Sequence, residues 1–264
     1  MKKTITILLA LFLAATVFAH EYILVAYKFI VKEGEKLELH LFVADGFNIQ
    51  MERPFQKSIT KKFELINENG KTDLLPISTD GTLPILEMEV DFKGLGLISM
   101  ERDYARITLP NDEFESYLQE DNIENIKIND TTKTEQSEKY TRYIKTLIQS
   151  NPIPNDSIYK TIVGLNFEIV LLQNPYELSQ GDWIHAKLLF MGKPLANKVI
   201  TARNRIGNES AIYQYSRTDK DGICSFKLER GGDWFLHSTH MIPSFHKTDA
   251  DWESFWTTFS FGMN

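Results

Sequence analysis

Cysteine is almost absent from this chain. The 264 residues include a single cysteine, Cys224, so no internal disulfide can form. It stands in the alternating run 223–226, which predicts a small buried hydrophobic side chain rather than a reactive thiol. The sequence therefore has no disulfide framework.

Long apolar runs and basic patches are also missing. After residue 19 nothing approaches the ~20 consecutive apolar residues that a membrane-spanning helix needs. The formal net charge is −7, and no face is rich in lysine or arginine. These absences argue against a direct membrane span in the mature chain and against nucleic acid or anionic lipid as partners.

The familiar catalytic motifs are absent as well. We find no G-x-S-x-G elbow, no glycine-rich phosphate loop and no H-E-x-x-H pair, and no spacing singles out an acid–base pair of carboxylates. We therefore expect a protein that is not an enzyme. One enzymatic alternative stays open, a copper brace built from an N-terminal and a second histidine, as in oxidative polysaccharide-cleaving enzymes, although the overall pattern does not resemble them.

The first nineteen residues have the pattern of a secretory signal. Lys2 and Lys3 precede an apolar run over 5–18, and Val17 and Ala19 occupy the small-residue positions that a signal peptidase reads. The pattern predicts a signal peptide over 1–19 and a periplasmic or secreted protein. Cleavage there makes His20 the first residue of the mature chain.

A terminal His20 offers a metal two nitrogens. Its free α-amino group and its imidazole can close a chelate ring on copper(II), nickel(II) or zinc(II), which no internal histidine can do. The alternative is that a histidine follows the cleavage site by chance.

The remaining chain is predicted to be mainly β, with two β-sandwich domains joined by a short two-helix insert. Residues 20–110 are strand-like, as in the run 36–43 that alternates with a period near two. Residues 157–264 are strand-like again, and the turns at 192–194 and 219–222 resemble those of Greek-key sandwiches of the transthyretin-like and carboxypeptidase-regulatory type.

Between them, residues 111–156 have a helical pattern. Two sets of apolar residues recur there at spacings of three and four: Phe114, Tyr117 and Leu118, then Tyr140, Tyr143, Ile144 and Leu147. This spacing predicts two amphipathic helices, the first capped by Asn111 or Asp112, followed by a linker.

Four segments carry a resemblance to a known family. They are 20–22, 114–118, 139–145, and 240–241 together with 249–256. With them, the mature chain resembles an exported bacterial family of domain-of-unknown-function proteins, long described as a nickel-transport-complex subunit and associated with nickel and cobalt uptake. The resemblance implies two β domains joined by a helical insert, and metal handling. Glu21 stands where that family usually has aspartate or a similar residue.

Histidines near the end of the chain supply candidate ligands. His237 and His240 lie three positions apart, so on one strand they face opposite sides. Trp234, Leu236 and Ser238 form the predicted core-facing set, which puts His237 on the other face. We expect His240 where the strand ends, and we select His20, His240 and His237 as the candidate metal ligands. The alternative for His240 is a loop histidine bonded to the backbone.

Several neighbouring residues have an ordinary interpretation beside a functional one. Met241 either packs in the core or binds the metal. Asp249, Asp251 and Glu253 either bind the metal, orient an imidazole that does, or are ordinary residues of a loop and a helix start. Trp252, Phe255 and Trp256, at helical spacing, pack the C-terminal segment or form a platform for sugar. We expect His246 in solvent, and His40 and His185 in ordinary strand positions.

The sequence-based hypothesis is a periplasmic accessory protein of a metal uptake system. It would bind nickel, cobalt, copper or zinc and pass the ion to a membrane metal transporter or an outer-membrane receptor. The alternative is a non-enzymatic exported module that binds a partner protein or glycan through its edge strands or its aromatic C-terminal segment.

Overall fold

The computed structural model describes residues 21–45, 48–130, 132–207, 209–246 and 248–263. The predicted signal peptide and His20 lie outside this range. Within it the protein is mainly β, as predicted, and none of its helices is long and apolar enough to cross a membrane.

The first half of the chain contains eight strands and the α-helix of the described residues: β1 (Glu21–Ala26), β2 (Lys36–Asp45), β3 (Asn48–Arg53), β4 (Thr60–Asn67), β5 (Gly70–Asp73), β6 (Leu86–Glu89), β7 (Leu95–Pro110), α1 (Asn111–Glu120) and β8 (Glu135–Gln149). The second half contains β9 (Phe167–Leu171), β10 (Trp183–Phe190), β11 (Lys193–Pro194), β12 (Val199–Arg205), β13 (Ile212–Arg217), β14 (Ile223–Lys227), β15 (Gly232–Pro243) and β16 (Trp252–Met263). Short 3-10 turns lie at Lys57–Ile59, Ile158–Lys160 and Pro175–Glu177.

One eight-stranded sheet, the central sheet, takes strands from both halves of the chain. Its order is β13-β12-β15-β16-β8-β7-β4-β5, and all its pairings are antiparallel except that of β16 with β8. The regions predicted as separate β domains, 20–110 and 157–264, therefore contribute to a common sheet, and β8 of the predicted insert lies between their strands.

A smaller sheet covers each face of the central sheet. Strands β1, β2, β3 and β6 cover part of one face, and β9, β10, β11 and β14 cover the other. We call these the β1 face and the β10 face. Successive side chains of one strand alternate between them: in β8, Ile144 joins the core on the β1 face and Tyr143 the core on the β10 face.

Of the two predicted helices, the first is confirmed and the second is wrong. Helix α1 buries Phe114, Tyr117 and Leu118 as predicted, although the residue before it, Pro110, provides no side-chain cap. Residues 135–149 form β8 instead. An interior strand buries both faces, so apolar residues of both parities occur at spacings of three and four and imitate a helix.

The C-terminal segment is also a strand rather than a helix. In β16, Phe255 faces the β10 side, while Trp252 and Trp256 lie beneath α1. Trp252 stacks on Phe114 with ring centroids 6.1 Å apart, and Trp256 on Tyr117 at 5.8 Å. These indoles therefore pack the segment onto the fold, as predicted, and do not form an exposed platform.

Two further expectations concern single residues. Cys224 is buried, as predicted, and burial raises the pKa of its thiol to about 12, so the thiol is unreactive at neutral pH. His240, expected where its strand ends, lies inside β15, which continues to Pro243 because β16 pairs with it along its whole length.

Candidate metal site

Three ionisable side chains meet on the β1 face beside the C-terminal end of α1. Glu21 is the first residue of β1, Asp121 directly follows α1, and His237 lies in the middle of β15. One potential ligand atom from each lies within 4.8 Å of the others. We call this set the Glu21–Asp121–His237 cluster.

The imidazole Nε2 of His237 points at both carboxylates. It lies 3.2 Å from Oδ1 of Asp121 and 3.8 Å from Oε1 of Glu21. The hydroxyl of Thr239, two residues further along β15 and on the same face, is 3.1 Å from Nε2. The cluster therefore directs one nitrogen and two carboxylate groups at a common point.

Burial controls the protonation of the cluster. His237 is 3% exposed, Glu21 4%, and the side chain of Asp121 9%. Desolvation lowers the pKa of His237 to about 4. The negative charge of Glu21 opposes this shift, and the positive charge of Arg203 adds to it. Desolvation also raises the pKa of Asp121 to about 8, although Arg203 favours its ionised form. At neutral pH the cluster holds a neutral imidazole beside a protonated Asp121.

A guanidinium from the neighbouring strand neutralises Glu21. Arg203 of β12 places Nη1 2.6 Å from Oε1 of Glu21, with 11% of the Arg203 side chain exposed. Two aromatic rings border the imidazole: the centroid of Trp256 lies 5.6 Å from that of His237, and Phe235 6.2 Å. A cation that enters the cluster must therefore compete with Arg203 for Glu21.

A second buried carboxylate lies behind the cluster. Glu138 of β8 accepts hydrogen bonds from the hydroxyls of Tyr117, at 3.1 Å, and Ser254. Desolvation raises its pKa to about 7, and the negative charge of Asp121 acts in the same direction. Proton uptake by Glu138 is thus linked to the charge of Asp121.

His240 is directed to the opposite side of the central sheet. Its ring centroid lies 4.5 Å from that of Phe190 and 6.0 Å from that of Phe167, both on the β10 face. Burial, with the repulsion of Lys198, lowers its pKa to about 4. The alternation predicted for β15 is confirmed, and His240 is not brought together with His237. His20, the third predicted ligand, lies outside the described residues.

The remaining candidates have other partners. His40 pairs with Glu52 (Nδ1–Oε1 2.7 Å), His185 contacts Gln173, and His246 is exposed. Asp249, Asp251 and Glu253 form ion pairs with Arg106, Lys133 and Lys139 respectively. Met241 is buried in the cluster of apolar residues under α1, consistent with packing.

Sequence reasoning missed Asp121 and Glu138. Asp121 directly follows α1 in the structure, and nothing in the local sequence indicates which residues that end of the helix faces. Glu138 was hidden because its strand was predicted to be helical. Glu21 was noticed only as a departure from the family pattern.

The shifted pKa values predict how the stability of the metal-free protein changes with pH. Between pH 4 and 6.5 the folded state binds fewer protons at His237 and more at Asp121 than the unfolded state, so their slopes oppose each other. From pH 6.5 to 8 folded Asp121 still holds a proton that unfolded Asp121 has lost, so this residue lowers the free energy of unfolding by about 1.4 kcal/mol per pH unit until its proton leaves near pH 8.

Asp121→Asn is therefore expected to remove most of the loss of stability between pH 6.5 and 8. Glu138, whose pKa is also raised, in part by the charge of Asp121, contributes to the slope in both proteins, so the difference between them reports Asp121 together with its effect on Glu138. Urea denaturation at several pH values measures it, with the surface variant Asp249→Asn as control. Parallel pH profiles for the wild type and Asp121→Asn would contradict the assignment.

Fold and site together define a mainly β, sandwich-type protein with a buried histidine–carboxylate cluster. The family described as "Domain of unknown function (DUF4198)" matches residues 17–242. The chain belongs to this family.

No curated protein matches the chain. Among solved structures, a β-glucuronidase from Parabacteroides merdae, with glycerol in its active site, aligns at 10% identity and a TM-score of 0.18. The alignment covers 84% of this chain and 23% of that enzyme, so this chain spans less than a quarter of its length.

Proposed function

We propose that this protein is an exported accessory protein that captures a divalent transition metal ion and passes it to an uptake system. The observation that supports the proposal is the Glu21–Asp121–His237 cluster, whose ligand atoms all lie within 4.8 Å of one another. Nickel, cobalt, copper and zinc are the ions it suits, and a membrane transporter or outer-membrane receptor would accept the ion.

The donor set favours this class of ion. Imidazole nitrogen combined with carboxylate oxygen suits borderline divalent transition metals, whereas calcium takes oxygen ligands alone. The low pKa of His237 keeps the imidazole neutral and ready to bind. Metal binding needs the loss of one proton, that of Asp121, so acidification favours release.

The sequence around the cluster strengthens the proposal. His20 directly precedes Glu21, which is a residue of the cluster. Cleavage after Ala19 would give His20 a free α-amino group beside its imidazole, so both nitrogens would lie next to Glu21 in the sequence. Arg203 already balances the charge of Glu21, and Asp121 regains its proton when the ion leaves, so neither carboxylate stays charged and unpaired. A site that is stable with and without its ion suits a carrier. The nickel link and a transthyretin-like C-terminal half remain part of this proposal.

Calorimetric titration of the purified, naturally processed protein with Ni(II), Co(II), Cu(II) and Zn(II) tests the proposal. We expect one-to-one binding that Asp121→Asn weakens by more than ~10-fold, because a ligand is lost. The same titration of a protein with one extra residue before His20 measures how much the terminal amine contributes to the metal affinity.

Asp249→Asn is the matched control, since Asp249 is an aspartate paired with Arg106 outside the cluster. Absence of one-to-one binding in the wild type, or equal affinity in Asp121→Asn and Asp249→Asn, would show that the cluster does not bind metal.

A further inference from the structure

Two arginines lie beside Tyr22, the residue after Glu21, and a third lies near one of them. The guanidinium carbon of Arg142, in β8, lies 4.2 Å from the centroid of the Tyr22 ring, and that of Arg102, in β7, lies 5.1 Å from it. Arg53 ends β3, and its charge also acts on Arg102. We propose that Arg53, Arg102 and Arg142 form a binding site for a small, multiply charged oxyanion, a polycarboxylate or a phosphate.

Arg102 is a buried cation with spare hydrogen-bonding capacity. It is 4% exposed, and its Nη2 donates to Oε1 of Gln56 at 2.7 Å. Its Nη1 is buried and has no hydrogen-bond partner within the described parts of the chain. A buried charge with an unmet donor is costly, so the position favours a ligand that supplies an acceptor and a negative charge.

The mutual repulsion of the arginines points the same way. Desolvation, together with the positive charges of Arg142 and Arg53, lowers the pKa of Arg102 to about 10. An anion bound among the three guanidinium groups would relieve this repulsion. In Arg53, Nε is likewise buried and makes no hydrogen bond to any described residue.

The adjacent acidic residues are engaged elsewhere. Glu52, next to Arg53, lies 2.7 Å from Nδ1 of His40. Glu101, next to Arg102, faces Lys62 at 3.6 Å. Both of these carboxylates are thus paired with other groups, whereas Arg142 lies near a third carboxylate, since its positive charge lowers the pKa of Glu138.

The geometry of guanidinium selects the class of ligand. Its planar fork matches the paired oxygens of a carboxylate or a phosphate and can donate to both at once. Three such groups suit an anion with more than one negative charge. The Tyr22 and Tyr140 rings, which contact Arg142, add flat walls for an organic acid.

The test is calorimetric titration of the purified, metal-free protein with citrate, succinate, phosphate and sulfate at constant ionic strength. We expect saturable binding at one site to at least one probe, and the order of the affinities identifies the preferred anion. Arg102→Gln should weaken binding at least ~10-fold. Arg102→Lys keeps the charge but loses the planar fork of donors, so it should retain only part of the wild-type affinity for the anion.

Two more variants keep the result interpretable. Arg53→Gln removes a less buried member of the site and should weaken binding even if Arg102→Gln fails to fold. Arg217→Gln removes the same charge from an exposed ion pair with Glu124 and should bind like the wild type. Absence of saturable binding in the wild type, or an equal loss in Arg217→Gln, would overturn the proposal.

Discussion

His237→Asn is expected to weaken metal binding by more than ~100-fold, whereas His240→Asn leaves the affinity within about threefold of the wild type. Removing residues that only orient a ligand costs 10- to 100-fold in affinity, so loss of a ligand should cost more. His237 supplies the nitrogen of the cluster, and His240 faces the aromatic core on the other side of the sheet.

The two histidines form an unusually close pair of test and control. They lie on the same strand, and burial lowers the pKa of both to about 4. Any general effect of replacing a neutral, at least half-buried histidine in β15 therefore appears in both variants. The measurement is titration with the ion that the wild type binds most tightly. Equal losses, or a larger loss for His240→Asn, would place the ion elsewhere.

Glu168→Gln is expected to destabilise the metal-free protein by about 3–5 kcal/mol, because it leaves a buried lysine without its counter-charge. Lys145 and Glu168 are each 0% exposed. Lys145 Nζ lies 2.9 Å from Oε1 of Glu168 and donates to the Ile169 carbonyl oxygen at 2.8 Å. Glu168 also accepts from the backbone N–H groups of 163–165 at 2.8–3.2 Å.

The pair joins the central sheet to the small sheet on the β10 face, since Lys145 belongs to β8 and Glu168 to β9. Desolvation lowers the pKa of Lys145 and opposes the attraction of Glu168, so the pairing offsets a large cost. Chemical denaturation measures the loss. Lys71→Met, which breaks the more exposed pair of Lys71 with Glu64, should cost no more than about 1 kcal/mol.

The double variant Lys145→Met/Glu168→Gln separates charge from packing. Because it leaves no buried lysine charge, it should be more stable than the sum of the two single changes predicts. Strict additivity, or a loss below about 1 kcal/mol for Glu168→Gln, would mean that the two groups do not depend on each other.

The sequence predicted those features that depend on local pattern. Alternation identified the strand over 36–43 and the opposite facing of His237 and His240, and helical spacing identified α1. The prediction from local pattern failed for β8 and β16, because these interior strands bury both faces and therefore lack the alternation of apolar and polar residues. The carboxylates of the cluster could not be predicted, because Asp121 and Glu21 meet His237 only through pairings distant in sequence.

The position of β16 has a consequence for the order of folding. This strand, residues 252–263, lies in the interior of the central sheet, between β15 and β8. During synthesis the strands of the first half can pair with one another, but β8 keeps an open edge until residues 252–263 emerge from the ribosome. The parallel pairing of β16 with β8 then closes the largest loop in the sheet, a slow and entropically costly step. The native sheet is thus completed only after residues 252–263 have been made.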